Sequence, residues 1–102
     1  MASAESVLAA LQANVSLIAG VPDSLLAPLI SRVARDDTRH VPAPNEGSAV
    51  AVAAGHYLAG GELAAVYLQN SGLGNAINPL VSLADRGVYG IPMLLIVGWR
   101  GE

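Results

Sequence analysis

Apolar positions along the chain follow two patterns, a helical spacing in some segments and short unbroken runs in others. The helical spacing predicts helices over residues 4–14, from residue 23 or 24 to about 35, over 46–58 and over 76–84. The short runs, bounded by glycine or proline, predict strands over 15–19, 40–43, 63–68 and 92–97. Strands that alternate with helices favour right-handed crossovers and a parallel sheet. Because the strands are apolar on both faces, we expect an α/β domain, a mainly parallel sheet with helices on both sides.

The pattern ends directly after the fourth strand, with no further helix to cover it. We therefore expect residues 1–102 to be a partial domain, truncated after that strand. An uncovered sheet face would need a continuation of the chain or a partner. It would also make the chain marginally stable or prone to self-association, since short chains bury a smaller share of their surface.

Composition narrows the classes of function. The chain has 102 residues, 53% of them hydrophobic and 13% charged, which is typical of a folded domain and not of a disordered one. A net charge of −3, with no lysine and no block of like charges, argues against nucleic-acid or anionic-membrane partners. No apolar run approaches the ~20 residues of a membrane-spanning helix. The absence of cysteine and of a signal-peptide pattern favours a cytoplasmic protein.

The candidate chemistry lies in the loops after the predicted strands, where ligands bind in open parallel sheets. Glu46 stands out because it is the only charged residue between Arg39 and Glu62, and it opens a very apolar helix. Two interpretations stay open. The carboxylate could simply stabilise the first helical turn, or it could lie in a poorly solvated cleft and exchange a proton with a ligand.

The other polar residues of these loops carry weaker signals. Asp23 and Ser24 follow a proline, and residues of this type usually cap a helix, which is the interpretation we favour from the pattern alone. The predicted loop over 69–75 is rich in glycine but matches neither the dinucleotide fingerprint nor the P-loop. His40 and His56 lack the spacing of metal ligands, so no metal site is expected within this chain.

Four segments at the ends of the predicted strands together resemble the N-terminal, pyrimidine-binding domain of thiamine-diphosphate-dependent 2-oxoacid decarboxylases. They are residues 20–26, 45–47, 69–75 with 78 and 79, and 91–95 running into 98–102. Within this family the phosphonopyruvate decarboxylases are the most similar and the sulfopyruvate decarboxylases the next. The resemblance implies conversion of 3-phosphonopyruvate to phosphonoacetaldehyde and carbon dioxide, or else an alpha-type subunit acting on sulfopyruvate. A hypothesis of another class is a non-catalytic α/β module that binds a partner through its uncovered sheet.

The resemblance also implies roles for three residues near the reacting atoms. Glu46 matches the glutamate that hydrogen-bonds N1′ of the aminopyrimidine ring and so promotes deprotonation of the thiazolium C2. Asp23 would handle a proton at the reacting carbon, and Ser24 would hydrogen-bond the 2-oxoacid substrate.

Further residues would bind the cofactor and substrate in the same cleft. Gln69, Asn70, Ser71 and Gly72 match the segment that lines the cofactor, with Asn70 facing the substrate as well. Arg100 is a candidate partner for the phosphonate, since a guanidinium offers a planar fork of donors.

The family's diphosphate-binding half is not represented in this sequence. That half binds Mg²⁺ through a Gly-Asp-Gly segment followed by an asparagine, and no such segment occurs here. We therefore expect the chain to require a diphosphate-binding domain or subunit, to be inactive without it, and to work as a homo-oligomer.

Overall fold

Four parallel strands form the single sheet of the computed structural model, which describes residues 3–34 and 39–99. The strands are β1 (Leu17–Gly20), β2 (Arg39–Pro42), β3 (Ala64–Gln69) and β4 (Leu94–Gly98), in the order β2-β1-β3-β4. All three neighbouring pairs run parallel, and at the carboxyl edge Gly20 pairs with Pro42 and Tyr67. The predicted parallel sheet is confirmed.

Helices cover both faces of this sheet. They are α1 (Ala4–Asn14), α2 (Ala27–Ala34), α3 (Glu46–Gly60) and α4 (Leu73–Pro79). One buried cluster joins α3 and α4 to the sheet, and small residues such as Ala49 and Ala53 let α3 approach it closely. The other cluster joins α1 and α2 to the opposite face through Leu11, Ile18 and Val33. No helix of the described residues is long and apolar enough to cross a membrane.

Helix α3 begins and ends with local signals that the sequence carries. The Asn45 side chain accepts a hydrogen bond from the backbone N–H of Ser48 at 2.9 Å, which caps the first turn. Gly61 follows the last turn in the left-handed conformation, with φ of 72°, where glycine carries no steric penalty. The Asn45 cap places Glu46 in the first turn of α3, at the carboxyl edge of the sheet, and Gly61 ends the helix at its other end.

The start of the second helical segment differs from the prediction. A 3₁₀ turn over Ser24–Leu26 precedes α2, and the Asp23 side chain makes no capping hydrogen bond to it. The expected capping role of Asp23 is therefore wrong. Its carboxylate is instead bound by a side chain distant in sequence, as described below. The predicted helix end at Arg35 lies outside the described residues.

The predicted loop over residues 69–75 is also wrong. A 3₁₀ turn over Asn70–Gly72 leads directly into α4, and a wider helical turn over Leu80–Ala84 follows it. Gly72 is buried in this turn, so a glycine at this position indicates close packing and not a loop. Pro79 is the last residue of α4 and has no N–H to donate, and the helical path continues beyond it through the N–H of Leu80, which bonds to the carbonyls of Ala76 and Ile77.

Candidate functional site

The carboxyl edge of the sheet brings together polar side chains from three loops. Asp23 follows β1, Glu46 follows β2, and Gln69 is the last residue of β3. Because the strands are parallel, all three positions lie at the same edge. Each of the three side chains is half-buried. The edge is therefore a sheltered polar site rather than a fully solvated rim.

The Glu46 carboxylate is held between two residues of the α4 region. Its Oε1 accepts a hydrogen bond from Asn75 Nδ2 at 3.0 Å. Its Oε2 lies so close to Gly72 that a Cβ added there would stand 2.2 Å from it. Within residues 3–34 and 39–99 no basic side chain forms an ion pair with Glu46. The carboxylate thus has neutral neighbours and keeps acceptor capacity for a ligand.

A second group at this edge consists of Asp23, Gln69 and Ser71. Gln69 Nε2 donates to Asp23 Oδ1 at 3.0 Å, and the Ser71 hydroxyl donates to Gln69 Oε1. The other oxygen of Asp23, Oδ2, is buried and has no hydrogen-bond partner. A buried polar atom without a partner is uncommon in folded proteins, and a catalytic role is one of the physical explanations for it.

The remaining predicted site residues occupy varied surroundings. Ser24 is exposed and lines a shallow cavity of about 370 Å³ together with Pro22 and Asp23. Asn70 is half-buried and Gly72 is buried beneath Glu46. Arg100 lies outside the described residues. The structure therefore brings all the predicted site residues it describes to one edge of the sheet.

Asn75 is a residue of this site that the sequence interpretation missed. The sequence pattern puts it at the end of the predicted loop over 69–75, whereas it lies inside α4 and donates to Glu46. The two residues are 29 positions apart, so no local pattern could reveal the contact.

Behind the site, a histidine and a tyrosine form a hydrogen bond across β1. His40 Nε2 lies 2.7 Å from the Tyr67 hydroxyl oxygen. Burial lowers the pKa of His40 and raises the pKa of Tyr67, so both favour their neutral forms. The Tyr67 ring lies over Gly20, where an added Cβ would stand 2.5 Å from the ring. Glycine at the end of β1 is what allows the tyrosine to reach β2.

Among the described residues, no three or more histidine, aspartate or glutamate side chains group in a way that could hold a metal ion.

Comparisons with known proteins agree with the resemblance of the four segments. The family "thiamine pyrophosphate enzyme, N-terminal TPP binding domain" matches residues 1–102. A phosphonopyruvate decarboxylase of Streptomyces hygroscopicus is 50% identical over 104 residues, covering 100% of this chain and 25% of that protein. A sulfopyruvate decarboxylase subunit alpha of Methanococcus maripaludis is 39% identical over 95 residues, covering 92% of this chain and 55% of that one.

A solved structure shows the same fold. Benzoylformate decarboxylase from Polynucleobacter necessarius superimposes with a TM-score of 0.74 at 25% sequence identity, covering 96% of this chain and 18% of the other. The chain spans about a quarter of the length of the phosphonopyruvate decarboxylase it matches. The family match over residues 1–102 means that this chain belongs to the N-terminal TPP-binding domains of thiamine pyrophosphate enzymes.

Proposed function

We propose that this chain is the pyrimidine-binding part of a phosphonopyruvate decarboxylase, which converts 3-phosphonopyruvate to phosphonoacetaldehyde and carbon dioxide. The observation that carries the proposal is the half-buried Glu46 carboxylate, held by neutral neighbours at the carboxyl edge of the sheet. The choice of phosphonopyruvate over sulfopyruvate is supported by 50% against 39% identity to the respective relatives. A diphosphate-binding domain or subunit would supply the Mg²⁺ site and complete the enzyme.

The residues present fit thiamine diphosphate. When bound, the cofactor supplies a carbon nucleophile that takes up the electrons released with carbon dioxide. Glu46 would hold its aminopyrimidine ring, since a carboxylate both accepts a hydrogen bond and exchanges a proton with a ring nitrogen. Asn75 restrains Glu46 through one oxygen, which leaves the carboxylate able to bind the ring.

The other residues of the edge would serve the substrate. Asp23 would exchange a proton with the reacting carbon through Oδ2, and the lack of a hydrogen-bond partner for this buried oxygen supports that role. Ser24 would donate to the 2-oxoacid from the adjoining cavity. The neutral side chains of Gln69 and Ser71 avoid a further negative charge, which would repel a substrate that carries both a carboxylate and a phosphonate. Arg100 would pair with the phosphonate.

Replacement of Glu46 by glutamine tests the proposal. Glu46→Gln keeps the size and shape of the side chain but removes the proton-exchanging group, so turnover should fall by roughly a hundredfold or more. We would measure decarboxylation of phosphonopyruvate by the chain mixed with a diphosphate-binding half, in the presence of thiamine diphosphate and Mg²⁺. The matched control is Glu62→Gln, which alters an exposed carboxylate beyond the far end of α3 and should leave turnover unchanged.

The same assay distinguishes the alternatives. Decarboxylation that survives Glu46→Gln would contradict the role proposed for Glu46. No activity in any mixture would contradict the proposed function and favour the non-catalytic interaction module. In a competition between the two substrates, preference for sulfopyruvate would instead identify an alpha-type subunit of a sulfopyruvate decarboxylase.

A further inference from the structure

The side-chain amide of Gln69 uses both of its polar ends within the protein. Its Nε2 faces the Asp23 carboxylate and its Oε1 faces the Ser71 hydroxyl. An ionised carboxylate can only accept hydrogen bonds, so the amide nitrogen must point toward Asp23. The amide oxygen is then left for Ser71, whose hydroxyl can donate to it. The direction of both hydrogen bonds follows from the charge of Asp23.

The two ends of this contact differ in how firmly the fold holds them. Gln69 ends β3, whose other residues are buried, and it pairs with Gly98 of β4. Asp23 lies in the short connection after β1 and makes no capping bond to the turn that follows. A rigid strand residue therefore orients a side chain that its own loop does not hold.

We propose that Ser71 and Gln69 are positioning residues that fix the Asp23 carboxylate, so that Oδ2 is the oxygen that exchanges a proton with the substrate. This inference rests on the proposed function. It changes the role expected for Gln69 and Ser71 from contact with the cofactor to action through Asp23. It also accounts for Oδ2, because a buried oxygen without a partner costs stability unless a ligand uses it.

The hydrogen-bonded series Ser71–Gln69–Asp23 is called the relay below. Nuclear magnetic resonance of the chain tests it without any measurement of catalysis. The two side-chain amide protons of Gln69 should have chemical shifts different from those of an exposed glutamine, because one of them is hydrogen-bonded to a carboxylate. Asp23→Ala should return them to the exposed values, and Ser71→Ala should move them while Ser71→Thr, which keeps the hydroxyl, should not. Gln12, an exposed glutamine of α1, gives the reference signal in the same spectrum. Gln69 signals that match those of Gln12 in the wild type would overturn the relay, as would indifference to Asp23→Ala.

A double-mutant cycle tests the role in turnover, with the chain combined with a diphosphate-binding half. Gln69→Ala should lower kcat by roughly ten- to a hundredfold with little change in KM, since the proton-exchanging oxygen is misplaced while binding is retained. In an Asp23→Ala background, Gln69→Ala should have almost no effect on kcat. The control Gln12→Ala should leave kcat unchanged in either background.

The results of these experiments distinguish a failure of this inference from a failure of the proposed function on which it rests. Effects of Gln69→Ala and Asp23→Ala that multiply would show that Gln69 acts independently of Asp23, which overturns the relay but leaves the decarboxylase proposal standing. A wild-type mixture that fails to decarboxylate phosphonopyruvate would overturn the proposed function and this catalytic role with it. If Asp23→Ala fails to fold, Asp23→Asn replaces it in the double-mutant cycle, because the amide keeps the shape and can still accept from Gln69 but cannot exchange a proton with the substrate.

Discussion

At the scale of single residues, Gly72 sets the position of the proposed catalytic carboxylate. A Cβ at this position would overlap the Glu46 side chain, with 2.2 Å to Oε2 and 2.5 Å to the carboxyl carbon. Gly72→Ala should therefore displace Glu46 and lower turnover of the assembled enzyme by roughly tenfold or more. It should also weaken binding of thiamine diphosphate, which can be measured by titration.

Gly74 provides the matched control for Gly72. A Cβ at Gly74 meets nothing within 4 Å, and the residue lies inside α4. Gly74→Ala should therefore preserve turnover and stabilise the chain by about 0.5–1 kcal/mol, because alanine loses less backbone entropy in a helix. Equal losses of turnover in the two variants would contradict the proposed contact between Gly72 and Glu46.

The sequence indicates some of these residues and conceals others. Glu46 is conspicuous because no other charged residue lies near it, and the resemblance points to the same position. The pattern alone favoured helix capping for Asp23, since local sequence does not show Gln69, which lies 46 positions away. The contacts that orient the carboxylates are all of this long-range kind, and only the folded sheet brings the partners together.

At the scale of elements, the hydrogen bond between His40 of β2 and Tyr67 of β3 should make stability depend on pH. Burial lowers the pKa of His40 in the fold, below the value of 6.5 that applies to an unperturbed side chain. The unfolded chain then binds more protons in the interval between the two pKa values. The contribution of His40 to the free energy of unfolding should therefore be fully present above about pH 6.5. The free energy of unfolding should fall as the pH is lowered through that value.

Urea unfolding of the wild type and of His40→Gln at about pH 7.5 and about pH 5.5 measures this contribution. Glutamine stays neutral and can still hydrogen-bond the Tyr67 hydroxyl, so the variant should lose less stability on acidification. His56 and Glu62 are present in both proteins and contribute equally to each. Identical pH dependence in the two proteins would show that His40 carries none of it.

The elements themselves were predicted well where local signals define them. Helix α3 begins at the predicted Glu46, next to the Asn45 cap, and each strand lies within two residues of its predicted bounds. The 3₁₀ turn over Asn70–Gly72 was missed because its composition is that of a loop. In that turn Gly72 packs closely against Glu46, a tertiary contact that the local sequence does not show.

At the scale of the whole molecule, an apolar groove lies between α1 and β4. It has a volume of about 690 Å³ and is lined by Val7, Leu11 and the side chains of β4. Leu94, Leu95 and Val97 are 41%, 36% and 37% exposed, so the strand presents apolar side chains on both of its faces. In the sheet of the described residues β4 also pairs on one side only. Exposed apolar surface beside an unpaired strand edge favours association.

We therefore expect the chain to self-associate as its concentration rises, which sedimentation velocity over a dilution series would measure. Leu95→Lys should shift the association to higher concentration, because a charge in the groove must be desolvated when the surface is covered. The same substitution at Leu58, which is 68% exposed on α3 and does not line this groove, should have no such effect. A chain that stays monomeric across the series and unfolds in one cooperative thermal transition would contradict this expectation. Equal effects of the two lysine variants would place the association elsewhere on the surface.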